Sequence, residues 1–228
     1  PSGEHVKPSR RRRGLLSAIA VLPLIAVAWL GVAPAAADPD PAPADAAPAA
    51  AGRPATSYSA DPLPTAQING VVWDQLVVGD VVYATGQFTQ ARPAGAAEGQ
   101  QETPRSNILA YTLSTGELIE GFAPVLNGPG RSLALSDDGS TLYVAGGFNQ
   151  VDGKWHNNLA AFDLNSGGAL IDSFKPVFNT TVSTIDVVGN TVYAGGYFKS
   201  VNGQPRLGLA AVDASTGATL DWTASISG

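Results

Sequence analysis

The chain has 228 residues, with 13 Lys and Arg, 19 Asp and Glu, and neither Cys nor Met. This length suits one domain or two small ones, and the lack of Cys excludes a disulfide framework, a Cys-ligated zinc and a thiol nucleophile within these residues. A copper site of the galactose-oxidase kind is excluded as well, because it needs a cysteine cross-linked to tyrosine.

The first 37 residues have the pattern of an export signal. A basic cluster, Arg10 to Arg13, precedes an apolar stretch from Gly14 to Val32, and the run Ala35 to Ala37 offers the small residues of a cleavage site. The apolar stretch has 19 residues, so an uncleaved membrane anchor is the alternative. In either case the arginines place the rest of the chain outside the cytoplasm. We therefore predict a secreted or cell-surface protein that contacts a membrane only through this segment, if it is not cleaved.

Residues 38–57 are predicted to form a disordered linker. Of the 18 residues from Asp38 to Ala55, 13 are Pro or Ala, and the five prolines remove backbone donors and fix φ. Without residues 1–37 the chain retains 8 basic and 18 acidic residues, a net charge of −10. Such a surface repels phosphates, which argues against nucleic acid as a partner.

The remainder, residues 58–228, contains a repeated unit of about 50 residues. Thr141–Gly167 aligns with Thr191–Gly217 without a gap and with 11 identities in 27 positions, where unrelated sequences would give about two. A third copy comes earlier, since "VYATGQF" at Val82–Phe88 matches "LYVAGGF" at Leu142–Phe148. It carries nine extra residues within Ala91–Arg105. The predicted units are residues 68–125, 126–177 and 178–228.

Each unit shows the signals of four short antiparallel strands and no sustained helical period. Gly189-Asn190 and Gly79-Asp80 each separate two β-branched runs, as in a two-residue hairpin, and Ser136–Ser140 is a longer polar turn. Further turns follow at "VDGK" or "VNGQ" and at "NSGG" or "STGA". Units of this kind are typical of β-propeller blades. We expect the glycines at 146–147 and 195–196 to let the backbones of adjacent blades approach closely.

The third copy resembles the delta-60 repeat, a propeller-type repeat of secreted and surface proteins of bacteria. The residues that carry the resemblance are the "VY-x-x-G-x-F" block, "VNGQ-x-R" from Val201 and "LAAVD-x-x-TG" from Leu209. The resemblance implies a fold and no reaction. A kelch repeat is the alternative, because it also pairs a Gly doublet with a downstream Trp. Only Trp222 could be that Trp, since copies one and two have Phe122 and Phe174 there.

Three blades do not close a ring, because propellers typically have about four to eight. We therefore expect an incomplete ring and an N-terminal fragment of a longer protein, with further repeats beyond Gly228. The fold class is predicted to be all-β, with three four-stranded antiparallel blades of a β-propeller.

The chemistry-bearing residues form no recognisable catalytic or metal motif, and we predict no catalytic residue, metal or cofactor. His156 follows the Trp of "GKWHNN", without a serine elbow to act on. Asp137-Asp138-Gly139 resembles a calcium-loop fragment and fits a hairpin turn better. Glu117, Glu120 and Asp172 lie near turns and could meet in space as a glycosidase pair.

The loops after the second strand vary most between copies, and loops on one rim of a propeller are a usual place for binding. Arg105, His156 and Arg206 occupy matching places there, with Trp155 beside His156. We predict these four as binding residues. The predicted function is a non-catalytic binding or scaffold module for an extracellular protein or glycan. The alternative is a secreted polysaccharide hydrolase or lyase with its site at the propeller mouth.

Overall fold

Seventeen short β-strands make up the described part, residues 63–222, of this computed structural model. The predicted signal segment, the whole of the predicted linker and the last six residues lie outside the described residues. The first repeat contains β1 (Gln67–Ile68), β2 (Val71–Val78), β3 (Val81–Gln87), β4 (Gln90–Arg92), β5 (Thr103–Pro104) and β6 (Ile108–Thr112). The second contains β7 (Gly130–Leu135), β8 (Thr141–Gly146), β9 (Gln150–Val151), β10 (Lys154–Trp155), β11 (Leu159–Asp163), a 3₁₀ turn (Leu164–Ser166) and β12 (Ala169–Leu170). The third contains β13 (Val182–Val188), β14 (Thr191–Gly196), β15 (Ser200–Val201), β16 (Gln204–Pro205) and β17 (Leu209–Asp213).

Each repeat forms one main antiparallel sheet. The strand orders are β2-β3-β6 in the first sheet, β7-β8-β11-β12 in the second and β13-β14-β17 in the third. In the first and third sheets a single β-bridge stands where the second sheet has β12. These bridges join Tyr111 to Leu118 and Val212 to Thr219. The prediction of an all-β, propeller-like fold built from antiparallel sheets is confirmed, and four strands per blade are complete in the second sheet.

The turns "VDGK" and "VNGQ" belong to separate small hairpins. They join β9 to β10 and β15 to β16, and neither hairpin is part of a main sheet. The segment that connects one main sheet to the next also pairs with the small hairpin, through the isolated bridges Leu126 to Val151 and Phe178 to Val201. In the first repeat the hairpin is β4–β5, and residues 93–102 lengthen its loop. The extra residues therefore sit at the tip of a hairpin, where they leave the main sheet unchanged.

The main sheets pack face against face in chain order, as propeller blades do. One apolar cluster joins the first sheet to the second and contains Ile108, Ala110, Leu133, Val144 and Phe162. A second cluster joins the second sheet to the third and contains Tyr143, Leu159, Ile185, Val192 and Ala210. The closest approach between sheets is made by their first strands, with β7 beside β2 and β13 beside β7.

An aromatic pair recurs on each sheet in the same place. A tyrosine of the second strand meets, edge to face, a ring that follows the fourth strand position, with centroids 5.0 to 5.3 Å apart: Tyr83 with Phe122, Tyr143 with Phe174 and Tyr193 with Trp222. Phe122 also contacts Phe162 of the next sheet, at 5.7 Å. The large rings thus fill the space between neighbouring sheets. Trp222 packs against the tyrosine of the third sheet as Phe122 and Phe174 do in the first and second sheets.

A β-bulge in each first strand coincides with hydrogen bonds between sheets. The register shifts at residues 72–74, 130–132 and 182–184. Just past the bulge, the Asp74 carboxylate accepts from the Leu133 backbone N–H at 2.7 Å. One repeat later, the Ser132 hydroxyl accepts from the Ile185 N–H at 3.2 Å. The same junction is therefore built twice along the chain.

The bulge also explains the glycine that recurs in the second strand of each sheet. Gly86, Gly146 and Gly196 pair with the first strand of their own sheet, and a Cβ on any of them would collide with a carbonyl oxygen there, that of Val71, Pro129 or Thr181. The expectation that Gly146 and Gly196 let adjacent blades approach was wrong, because their close approach lies within each sheet. Gly195 likewise faces Thr184 of its own sheet. Gly147 differs from them, since the nearest atom to a Cβ there belongs to Thr181 of the next repeat.

The hairpin turns of the main sheets are as predicted. Gly79 and Gly189 have φ of 60° and 56°, and each is followed by a residue without positive φ, the pattern of a type II′ turn. No α-helix occurs among residues 63–222. Within that range, accordingly, no helix has the length and apolar character needed to cross a membrane.

We predict that Gly146→Ala lowers the free energy of unfolding by about 2 kcal/mol or more, because the first strand has to move away from the new methyl group. The matched control is Gly147→Ala. A Cβ there would meet its nearest neighbour, the Thr181 hydroxyl, at an ordinary 3.4 Å. Urea denaturation of both variants checks this, and equal losses at the two positions would contradict the bulge explanation.

Ser132→Ala removes the acceptor for the buried Ile185 N–H, and we expect it to cost about 1 to 2 kcal/mol of unfolding free energy. The matched control is Thr184→Ala, the same place in the third sheet, whose hydroxyl makes no hydrogen bond within residues 63–222. We expect that change to stay within about 0.5 kcal/mol. Chemical denaturation distinguishes the two, and a neutral Ser132→Ala variant would refute the hydrogen-bonded junction.

Candidate functional site

The main sheets present two different edges. One edge, the turn edge, carries the hairpin turns at 79–80, 136–140 and 189–190. The other, the hairpin edge, carries the small hairpins and the segments that connect one sheet to the next. Both edges are therefore built from repeated elements, and only their side chains differ.

Carboxylates at the turn edge are occupied in holding turns. Asp138 accepts from the Ser136 hydroxyl and from the backbone N–H and hydroxyl of Ser140, and these hydrogen bonds lower its pKa to about 2. Asp213 does the same for Ser215 and Thr216, with its pKa also lowered to about 2. Asp137-Asp138-Gly139 is thus a hairpin turn, as its sequence favoured.

The four predicted binding residues fall into two environments on the hairpin edge. Arg105 and His156 are buried, 4% and 1% exposed, while Trp155 is 63% exposed and Arg206 is half-buried. Arg105 donates to the Glu120 carboxylate at 3.0 Å and to its neighbour's carbonyl. Arg206 donates to the carbonyl of Leu220 at 3.3 Å. The matching places thus hold each small hairpin onto the end of its own sheet, and Trp155 is the member most open to a ligand.

His156 belongs to a charged cluster that is centred on Asp172. Its Nε2 is 3.2 Å from a carboxylate oxygen of Asp172, which also meets Lys175 at 2.9 Å and Lys154 at 3.9 Å. Burial lowers the pKa of His156, although the hydrogen bond to Asp172 acts in the opposite direction. Hydrogen bonds from Lys175 and then from His156 lower the pKa of Asp172. The ring is therefore held neutral, which suits a structural histidine.

The carboxylates considered for glycoside chemistry are divided between repeats. Asp172 is engaged with the cations around His156. Glu117 and Glu120 line a shallow cavity of about 440 Å³ together with Glu102. Glu120 is paired with Arg105, and Glu102 accepts from the Gly99 N–H at 2.9 Å. Among residues 63–222 no group of three or more His, Asp or Glu side chains is arranged to hold a metal ion.

Two equivalent grooves open on the hairpin edge, one at each junction between sheets. The first groove lies between repeats one and two and has a volume of about 600 Å³; the second lies between repeats two and three and has about 520 Å³. Asn127 lines both. Their walls are amides, hydroxyls, backbone and buried phenylalanine rings, and neither groove has a charged side chain in its lining.

Asparagines build these grooves. Asn69, Asn127 and Asn179 hold the same place in the three repeats, and each accepts two backbone N–H groups from the start of the neighbouring hairpin. Asn107 and Asn158, both with φ of 68°, donate to the carbonyls of Leu126 and Phe178 at 2.9 Å. These five amides tie hairpin, sheet and connecting segment together.

A recurring asparagine in the sequence could have indicated this site, but the prediction relied on the loops that differ between copies. Asn recurs in "QING", "VLNG" and "VFNT", at the approach to each repeat. Groups that remain available in the second groove are Asn157 and Thr180, whose side chains make no hydrogen bond within residues 63–222, and the Asn179 amide nitrogen. An uncharged surface of hydrogen-bond donors and acceptors can bind a polar ligand.

Comparisons with known proteins give no family. No protein-family model matches the chain, and no curated protein matches it. It is similar to a structure titled "Structure of U3-55K" and to the crystal structure of the RRP9 WD40 repeats, each at 10% identity and a TM-score of 0.45. The alignments cover 69% and 70% of this chain and 42% of each solved chain. The chain therefore spans less than half of these structures.

We expect the free energy of unfolding to fall as the pH drops from about 7.5 to 5, because His156 has a lowered pKa when folded and an ordinary one, about 6.5, when unfolded. Above the unfolded pKa neither state is protonated; below it the unfolded chain takes up the proton first. Urea unfolding at several pH values measures this, and His156→Gln should remove this part of the slope. An imidazole NMR titration with a folded pKa above 6.5 would contradict the prediction.

Proposed function

We propose that residues 58–228 form a non-catalytic binding module that takes a neutral glycan along its hairpin edge. The observation that carries this proposal is the pair of equivalent, uncharged grooves between successive sheets. A polymer of repeating sugars is a natural ligand for such an edge, because one binding unit recurs at each junction.

The chemistry of the second groove favours hydroxyl groups over charged groups. Sugar hydroxyls both donate and accept hydrogen bonds, and amides and threonine hydroxyls offer the matching partners. Asn157, Asn179 and Thr180 place such groups within one groove. A charged ligand would find no counter-ion in the lining, so its desolvation would be uncompensated. These properties favour neutral saccharides over phosphate, sulfate or uronate groups.

The proposed location is outside the cell, on the surface or secreted. It rests on the export pattern of residues 1–37, which is consistent with a polysaccharide-rich environment. The resemblance to the delta-60 repeat supports the same location and stays a prediction, as does the role of Trp155. An exposed aromatic ring suits stacking on a pyranose face, and the exposure of Trp155 supports that role.

A polysaccharide-acting enzyme is the second candidate, and one observation favours it. Glu102, Glu117 and Glu120 share a cavity, and a pair of carboxyl groups is what glycoside hydrolysis needs. Glu120 is held by Arg105 and Glu102 by a backbone N–H, which leaves Glu117 as the carboxylate open to a substrate. This cavity lies on the first repeat and is distinct from the two grooves.

We expect the full chain to bind neutral hexose oligosaccharides in isothermal titration calorimetry, and uronic acid oligomers of equal length much more weakly. Asn157→Ala removes one amide from the second groove and should weaken binding by about five-fold to ten-fold, the value of one hydrogen bond. The matched control is Asn165→Ala, an exposed asparagine of the 3₁₀ turn at the turn edge.

Two outcomes would overturn this proposal. If Asn157→Ala and Asn165→Ala bind every oligosaccharide with equal affinity, the second groove is not the binding site. Release of reducing ends that disappears in Glu117→Gln would replace binding by hydrolysis on the first repeat.

A further inference from the structure

The extra residue of each first-strand bulge is different in each repeat. The register shifts identify these residues as Trp73 in β2, Arg131 in β7 and Ser183 in β13. A bulged residue has no partner of its own on the paired strand, so its side chain can change without changing the pairing. The three places therefore hold an aromatic ring, a cation and a hydroxyl group on the same backbone frame.

Arg131 meets Trp73 across the first junction between sheets. Its guanidinium carbon lies over the indole ring, 4.7 Å from the ring centroid, and this cation–π contact fixes the position of the charge. Both side chains are exposed, Trp73 by 41%. Within residues 63–222 Arg131 forms no salt bridge, and its guanidinium donates no hydrogen bond. The charge is therefore held in place without a carboxylate to neutralise it.

Asp74 follows Trp73 directly, and its carboxylate is already used in the junction. One oxygen accepts from the Leu133 N–H at 2.7 Å, and the other accepts from the Gln75 N–H at 2.9 Å. These backbone donors occupy the carboxylate that stands nearest to Arg131 in the bulge. The N–H groups of the Arg131 guanidinium are therefore available to a ligand.

The pair formed by Arg131 and Trp73 lies just beyond the first groove. Val71 and Pro129 line that groove, and Trp73 and Arg131 follow them two residues later. Two residues of a strand span about 6 to 7 Å, a distance comparable to the width of a sugar ring. In the third repeat the place of Arg131 is taken by Ser183, whose hydroxyl oxygen is enclosed. A fixed positive charge with an aromatic support is thus a property of the first junction.

We propose that the first groove takes a glycan segment that ends in a single carboxylate, and that Arg131 binds this carboxylate. The inference rests on the proposed function and adds a charged subsite to a groove whose lining is neutral. A guanidinium matches a carboxylate through two parallel hydrogen bonds, and one cation neutralises one such group. A terminal uronic acid residue carries this group on its ring. A polymer made only of uronic acids would leave its other charges without a cation.

The test compares a glucose tetrasaccharide with the same tetrasaccharide ending in glucuronic acid, by isothermal titration calorimetry of the full chain. We expect the acidic form to bind about five-fold more tightly at low salt, and added salt to reduce this advantage by screening the ion pair. Arg131→Gln should remove the advantage and leave the affinity for the neutral tetrasaccharide unchanged. The matched control is Lys199→Gln, which removes one exposed positive charge from the third repeat and should preserve the advantage.

Nitrogen-15 NMR with free glucuronate as the probe tests the charged subsite separately from the groove. We expect the side-chain Nε–H signal of Arg131 and the indole N–H signal of Trp73 to shift together, because the two groups are in contact. Glucose at the same concentration should shift neither signal. Circular dichroism verifies that Arg131→Gln is folded, and we expect an unchanged spectrum because the side chain is exposed.

The outcomes distinguish this inference from the proposed function. If the neutral tetrasaccharide binds and the acidic one binds no better, or if Arg131→Gln retains the advantage, the charged subsite is wrong and the neutral grooves stand. If neither tetrasaccharide binds while glucuronate shifts Arg131 and Trp73, the subsite stands and the proposed function is wrong. Equal shifts of all arginine and indole signals would show that glucuronate binds without a defined site and would overturn the subsite.

Discussion

Each main sheet of this protein is apolar on both faces, and that constraint organises the rest of the structure. A sheet buried on one side only alternates apolar and polar residues along its strands, and β8 and β11 do not, since they are buried at nearly every position. Such strands are stable only with a neighbour on either side. Successive repeats supply those neighbours, so the stability of one unit depends on the next.

The bulge in each first strand determines how the sheets meet. It shifts the strand register at the point where β2, β7 and β13 lie closest to one another, and it requires a glycine on the paired strand. The residue just past the bulge then reaches the backbone of the following sheet. One local irregularity thus accounts for a glycine that recurs in all three repeats and for a hydrogen bond that recurs at both junctions.

The sequence was sufficient to predict the fold and insufficient to predict the site, for a physical reason. Repeat spacing, glycine turns and β-branched runs report on local backbone geometry, so the strands and their hairpins could be identified. The turn "VDGK" was correctly predicted as a turn, but it was expected to join two strands of the main sheet and instead joins β9 to β10 in a separate hairpin. A two-residue strand has no periodicity by which the sequence could reveal it. The burial of Arg105 and His156 could not be foreseen. Both residues lie in loop sequences. Their partners, Glu120 and Asp172, are 15 and 16 positions further along the chain, after the last long strand of the same repeat.

The asparagines of the hairpin edge connect the stacking of the sheets to the binding surface. Because Asn127 and Asn158 hold the connecting segments in place, the shape of each groove follows from the packing of the two sheets that flank it. One position on that frame carries a different side chain in each repeat: Thr89, Asn149 and Lys199. Exchanges at such positions change the hydrogen-bonding groups of a groove without changing the backbone that presents them. The module can therefore vary what it binds at each junction while every junction keeps the same structure.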